Sequence, residues 1–454
     1  MSASVALRIR GVELFERPVT LRLPFRFGAA TVTQCPQAFV RVSAEFNGVR
    51  AEGATAELMV PKWFDKSPAL THEQNFEQLR EALRIARDSY QACDDALNPW
   101  MLSQQCGEAA LARGTAIGLP RLVAQFGVAQ LDKAVADAAL RAAALGWVDG
   151  VRAGVLGDPF HAAVPLRRAD GVMLRHTVGL ADRIIDSDEG AGPGDDLPAT
   201  LQAALRAGGL TYFKLKLSGR IDADIDRLGR IAMLLDAEAG DYRVTLDGNE
   251  TFADAASLGA FWQALQRETR LRALLARTLL LEQPLPRAVA LQTSIARLRL
   301  GVPVILDESD DHPEAFEEGL ALGYGGISSK ACKGIYRSLA NAARIAQEPG
   351  AGLLLSGEDL TCQAGLAVQQ DCLLASSLGV SHIERNGHHY VDGFGIAPEA
   401  EAIAFQAAHP GLYGTAGTRP RLAVRGGRID LRSLHGAGFG STATPYWDQL
   451  TPIS

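Results

Sequence analysis

The chain has 454 residues, of which 47% are hydrophobic and 21% charged, with a formal net charge of −7. This balance fits a soluble globular protein able to bury a large core. An acidic chain without a dense basic cluster excludes nucleic acid as the main partner, and no apolar run approaches the length of a membrane span. The opening MSASVALRIRGVELFERP carries charges where a signal peptide has its apolar core. Six scattered cysteines, without Cys-x-x-Cys, suit reduced buried thiols. A cytoplasmic location is therefore expected.

In chain order, residues 1–125 read as an α+β unit. VELFERPVTLRLPF and AFVRVSAEFNGVRAEGAT alternate as strands do, and the Gly-containing RFGAATVTQCPQ reads as the loop joining them. A helix is expected from His72 to about Ala96. From about Gly127 the Ala-rich AQLDKAVADAALRAAALGW has helical periodicity.

Residues 126–410 then alternate short apolar strands with helix-like segments. The strands are VMLRHTVGL, TYFKLKL, RVTLDGN, TLLLEQP, PVILDES, GGISSKA, LLLSGED and SHIERN, and each ends in polar residues. Thr177, Lys214, Asp247, Glu282, Asp307, Lys330, Glu358 and Glu384 mark those ends, 23 to 37 residues apart. Each interval holds one strand, one helix and two loops. Eight such units predict a (β/α)₈ TIM barrel, with its site at the C-terminal strand ends. The competitor, a doubly wound nucleotide-binding sheet, lacks its G-x-G-x-x-G or P-loop signature. Residues 411–454, including GTRPRLAVRGGRIDLRSLHGAGFGST, are expected to form a short hairpin and a Gly-rich loop packed back on the N-terminal unit.

Asp247, Glu282 and Asp307 end three consecutive strands, which lie side by side in a closed barrel. Each alone reads as a helix cap or surface pair. Three converging anions repel one another unless a cation holds them, and oxygen-only donors select a hard ion such as Mg²⁺. Asn249 follows at strand spacing as a supporting donor or ligand.

Lys214 and Lys216 share one face of the preceding strand, and Lys330 ends the strand that follows. Lysines in an isolated Lys-x-Lys guard exposed edge strands. Lysines flanking a metal suit abstraction of the proton beside a carboxylate, with the ion holding that carboxylate and stabilising the enolate. Lys214, beside Lys216, is expected to favour the free amine of its neighbour.

At these residues the chain resembles the enolase superfamily, in its mandelate racemase/muconate lactonizing enzyme-like branch. The resemblance rests on KLK at 214–216, LDGNE at 246–250, LEQPLP at 281–286, ILDES at 305–309 and SKACKG at 329–334. HTVGL at 176–180 and GAGFG at 436–440 extend it over nearly the whole chain. It implies an N-terminal capping domain over a catalytic barrel. It also implies Mg²⁺ (or Mn²⁺) at Asp247, Glu282 and Asp307, and Lys216 and Lys330 as paired acid/base residues supported by Lys214. The substrate implied is a small carboxylate. Racemisation or epimerisation leads, with cycloisomerisation, dehydration and β-elimination as further outcomes of one enolate; a non-catalytic barrel is the alternative of another class.

Lys333 rivals Lys330, and Glu308 rivals Asp307. Phe25, Arg26 and Trp63, in Phe25-Arg26-Phe27-Gly28 and Val60-Pro61-Lys62-Trp63-Phe64, are expected in loops that close over the barrel mouth and select the substrate. An oligomer contact is the alternative for these loops, and a homo-oligomer is expected. Glu358 and His388, after the seventh and eighth strands, are further specificity candidates. His389 follows His388, and His176 reads as structural.

Overall fold

The computed structural model describes residues 6–190, 192–416 and 419–454. Ala191, and Gly417 and Thr418 of the expected hairpin segment, lie outside them. Strands β1 (Leu7–Phe27), β2 (Ala30–Phe46) and β3 (Val49–Leu58) form an antiparallel sheet. Asn47 and Gly48 turn β2 into β3 with φ of 48° and 83°, the left-handed pair that a two-residue hairpin requires. The segment RFGAATVTQCPQ is not a loop. Phe25, Phe27, Ala30 and Val32 are all buried at period two, so the strands run through it and turn only at Gly28-Ala29.

Helix His72–Gln91 starts at a capping box. Thr71 accepts from the Gln74 N–H, and the Gln74 side chain accepts from the Thr71 N–H. The helix Arg121–Ala142 is buried along almost its whole length and packs on β3 and on His72–Gln91. It runs across residues 125 and 126. Close approach explains two of its contacts. A Cβ at Gly53 would stand 2.0 Å from the Ala134 carbonyl oxygen, and one at Gly127 would stand 2.1 Å from that of Ala82.

All eight expected barrel strands are present. They are β4 (Gly171–Val178), β5 (Tyr212–Lys216), β6 (Arg243–Asp247), β7 (Thr278–Glu282), β8 (Val304–Leu306), β9 (Gly326–Ser329), β10 (Leu354–Gly357) and β11 (His382–Glu384). Each pairs in parallel with the next, and β11 pairs with β4 (Ile383 opposite Leu174), which closes the barrel. Closure leaves no free sheet edge and turns eight strand ends towards one mouth.

The chain then returns to both units. A hairpin pairs Tyr413–Ala416 with Arg419–Leu422, Arg428–Asp430 pairs antiparallel with β4, and Thr451–Pro452 pairs with β1. Asp137 ties the GAGFG segment to the sheet, accepting from the N–H groups of Ala54 (2.9 Å) and Phe439 (2.6 Å). Among the described residues no helix is long and apolar enough to cross a membrane.

Candidate active site

Strand register sets the site. Lys216 lies opposite Asp247, and Asp247 opposite Glu282, across β5, β6 and β7. Lys214, two residues earlier on the same face, lies roughly 6.6 Å deeper in the barrel. Its Nζ meets four carboxylates: Asp247 (2.9 Å), Glu282 (2.8 Å), Glu358 (2.7 Å) and Glu384 (3.0 Å). Desolvation opposes its charge, but those four anions hold its pKa well above the usual lysine value. Lys214 is thus a buried counter-ion, not a free cation acting on Lys216 alone.

Lys216 Nζ donates to Asp247 Oδ2 (2.6 Å) and lies 5.8 Å from the centre of the Phe25 ring. Lys330 Nζ donates to Asp307 Oδ2 (2.7 Å) and lies 4.2 Å from the centre of the Trp63 ring. Burial works against the Lys330 charge, and Asp307 outweighs it, so its pKa stands above that of a free lysine. Both lysines line one small chamber of about 20 Å³, with Phe25, Phe27, Val60 and Trp63 of the cap over it. That is room for about one water. A larger cavity of about 810 Å³ adjoins it, with Phe27 and Asn249 lining both.

Asp247, Glu282 and Asp307 are all at most 1% exposed, and each leans towards a different lysine. Desolvation would raise Asp307, but Lys330 and Lys333 hold it far below the carboxylate range. Desolvation and the charges of Asp247 and Glu358 push Glu282 well above it. Asn249 links the set: its N–H donates to Asp247 Oδ1 (2.8 Å) and its side-chain amide to Glu308 Oε1 (3.4 Å). Glu308 Oε2 and Asn249 Oδ1 are buried with no hydrogen-bond partner among the described residues. Burial, and then the Asp307 charge, push Glu308 up to about 7. The histidines His176, His388 and His389, not the three carboxylates, are the side chains whose ligand atoms all lie within 4.8 Å of one another among the described residues.

Other expected residues divide. Phe25 and Trp63 are 5% and 4% exposed and roof the chamber, so neither is a solvent-facing oligomer contact. Phe25 does so from β1, not from a loop. Arg26 alternates outward and lines the larger cavity. Glu358 lies beneath the chamber, bound by Lys214 and Arg175, and its burial removes it from any substrate surface. His388 faces His176, outside the chamber. Lys333 turns behind the strands to Ser328, Asp310 (2.9 Å) and a separate cavity of about 380 Å³. The geometry thus brings Lys330, not Lys333, to the chamber.

Sequence reasoning missed the residues that fasten the roof. Arg287 donates to the carbonyls of Trp63 (2.8 Å) and Phe64 (3.0 Å) and to Glu250. Lys66 pairs with Glu250 (2.5 Å) and donates to the Asn249 carbonyl (2.8 Å). Gln283 was also missed. It accepts from the Asp307 N–H (2.8 Å) and donates to Ser309 Oγ (2.7 Å), locking two metal-ligand candidates' loops together. Asn249, Glu250 and Gln283 all have positive φ (42°, 66° and 33°), the kind of strain that tertiary contacts hold at functional sites. The signal in the sequence was the pairing of LEQP with DES.

A closed eight-stranded barrel under an antiparallel cap, with lysines and carboxylates at its strand ends, defines a class of protein, and comparison identifies it. The enolase C-terminal domain-like family model matches residues 196–440. The chain belongs to that family and is an enzyme of the enolase superfamily, akin to the mandelate racemase/muconate lactonizing enzymes. Among solved structures, a muconate lactonizing enzyme from Mucobacterium smegmatis complexed with muconolactone is similar at TM-score 0.63 and 16% identity, over 96% of this chain and 97% of that one. A dipeptide epimerase from Cytophaga hutchinsonii complexed with Mg and D-Ala-L-Val gives 0.63 and 14%, over 99% of each chain. An enolase from Bradyrhizobium complexed with magnesium and mandelic acid gives 0.59 and 18%, over 98% and 97%. At these identities the likeness is one of fold. No curated protein matches the chain significantly.

Proposed function

We propose that the protein removes the α-proton of a small carboxylate substrate and returns a proton to the same carbon, a racemisation or epimerisation. One observation carries the reading. Lys216 and Lys330 reach the same small chamber from β5 and from the end of β9, each bonded to a carboxylate. Where two acid/base groups approach one carbon from opposite faces, one accepts the departing proton while the other, charged, delivers its own. The aromatic roof excludes bulk water, which would otherwise protonate the carbanion from either side.

The donor set beside the lysines fits a hard divalent ion. Asp247, Glu282 and Asp307 offer only buried oxygens, and the unpartnered Glu308 Oε2 and Asn249 Oδ1 adjoin them. Those three carboxylates would hold Mg²⁺ or Mn²⁺. When bound, the ion supplies positive charge where negative charge builds on the substrate carboxylate. Asn249 and Gln283 position the carboxylates, and Lys214 neutralises the layer beneath. Cycloisomerisation, dehydration and β-elimination begin with the same proton abstraction; lysines on both sides favour return of the proton.

The test is α-proton exchange from deuterated water across a panel of α-substituted carboxylates, with and without Mg²⁺. Exchange with at least one member, lost on chelation, supports the reading; metal-independent exchange, or none across 2-hydroxy, 2-amino and dipeptide acids, contradicts it.

A further inference from the structure

His176, His388 and His389 meet where the barrel closes. Thr177 points inward, donating its hydroxyl to Glu384 (2.7 Å), so His176 on β4 points out of the barrel. His388 and His389 follow β11, which pairs with β4, and the short helix Gly387–Tyr390 lays both rings against His176. Nδ1 of His176 lies 2.8 Å from Nε2 of His388. The His389 ring centre lies 4.2 Å from that of His176 and 4.7 Å from that of His388. His176 and His389 are each 4% exposed.

Packing alone leaves His389 unexplained. Among the described residues neither of its buried ring nitrogens has a hydrogen-bond partner, an arrangement that costs desolvation energy with nothing to offset it. Its neighbours use one nitrogen each on one another. We propose that the three imidazoles bind a late first-row divalent metal ion, with Zn²⁺ as the probe, at a centre separate from the chamber carboxylates. Nitrogen donors select Zn²⁺, Co²⁺, Ni²⁺ or Cu²⁺, whereas the oxygen-only carboxylates select Mg²⁺ or Mn²⁺. Three protein ligands leave a fourth position for water. The nearby Arg22 guanidinium pairs with Asp195 at 2.5 Å and donates to the His389 carbonyl at 2.7 Å.

The experiment strips the full-length protein with a chelator, dialyses it against trace Zn²⁺ in excess Mg²⁺, and counts bound Zn²⁺ by mass spectrometry. One Zn²⁺ per chain is expected in the unaltered protein and in an Asp247→Asn/Asp307→Asn variant. His176→Phe and His388→Phe should weaken it by more than the 10- to 100-fold that loss of a mere outer partner costs. No retained Zn²⁺, Zn²⁺ unaffected by the histidine substitutions, or Zn²⁺ lost with the carboxylates instead would each overturn the proposal. If any variant misfolds by circular dichroism, X-ray absorption at the zinc edge of the unaltered protein decides. A shell of three imidazole nitrogens is expected, and an oxygen-dominated shell overturns it.

Discussion

The Lys330 ammonium stands 4.2 Å from the centre of the Trp63 ring, so a residue of the cap covers an acid/base candidate of the barrel. A desolvated cation–π contact of this kind contributes on the order of 1–2 kcal/mol. Trp63→Leu is expected to lower kcat/KM and to reorder preference among accepted carboxylates, while Trp63→Phe, which keeps a ring, retains more of both. Steady-state kinetics over the substrate panel checks this. Unaltered kinetics on every substrate in Trp63→Leu would remove the roof from the account.

Lys214 predicts a stability effect. Its ammonium is shared by Asp247, Glu282, Glu358 and Glu384, all at most 1% exposed. Lys214→Met leaves this buried cluster without its shared cation, and breaking a buried ion network by removing one partner costs about 3–5 kcal/mol. Urea unfolding near neutral pH measures it. A change under about 1 kcal/mol would mean that the Lys214 network contributes no more than an exposed ion pair.

Arg287 predicts mobility. It holds the Trp63 and Phe64 carbonyls to the barrel through Glu250. Arg287→Ala should raise hydrogen–deuterium exchange in residues 60–70 and leave β4 to β11 protected. Equal exchange in the two proteins would place the hinge of the roof elsewhere.

Asp132 predicts a pH dependence. Burial pushes its carboxyl up to about 7, even though Tyr90 and Ser103 donate to it. The folded state therefore binds a proton that the unfolded chain has lost above about pH 4. Its contribution to stability is full below that pH and is lost as pH rises through about 7. Relative to Asp132→Asn, the unaltered protein should lose on the order of 4 kcal/mol between pH 4 and pH 8. Unfolding curves at stepped pH test it; parallel stability profiles for the two proteins would show that the group titrates normally.

The barrel was legible because each strand ends in a polar residue after an apolar run, and strand ends converge wherever a sheet closes. Asp247, Glu282 and Asp307 could be placed by that rule alone. The cage around Lys214 could not. Glu358 and Glu384 approach it from strands more than 140 residues along the chain, as the spacing of 144 between Lys214 and Glu358 shows, and periodicity carries no information on depth inside a barrel. The cap was misread where Phe25 to Gly28 looked like a loop: Gly28 is the turn itself, and the alternation of Phe25, Phe27, Ala30 and Val32 on either side was the overlooked signal. Lys330 is still extended (φ −134°) and follows the strand alternation into the chamber, whereas Lys333 ends the 3₁₀ turn Ala331–Lys333 and folds back to Ser328 and Asp310, a difference that spacing alone does not reveal.

The most direct test of the central claim follows α-proton exchange by NMR for both enantiomers of one accepted carboxylate in Lys216→Ala and Lys330→Ala. Positioned acid/base groups contribute about 10²- to 10⁴-fold, so each loss will be plain. The account predicts that each variant loses exchange of one enantiomer, and that the two variants lose opposite ones, while Lys333→Ala keeps both. Full exchange of both enantiomers in Lys216→Ala, or loss of both in Lys333→Ala with both retained in Lys330→Ala, would contradict it.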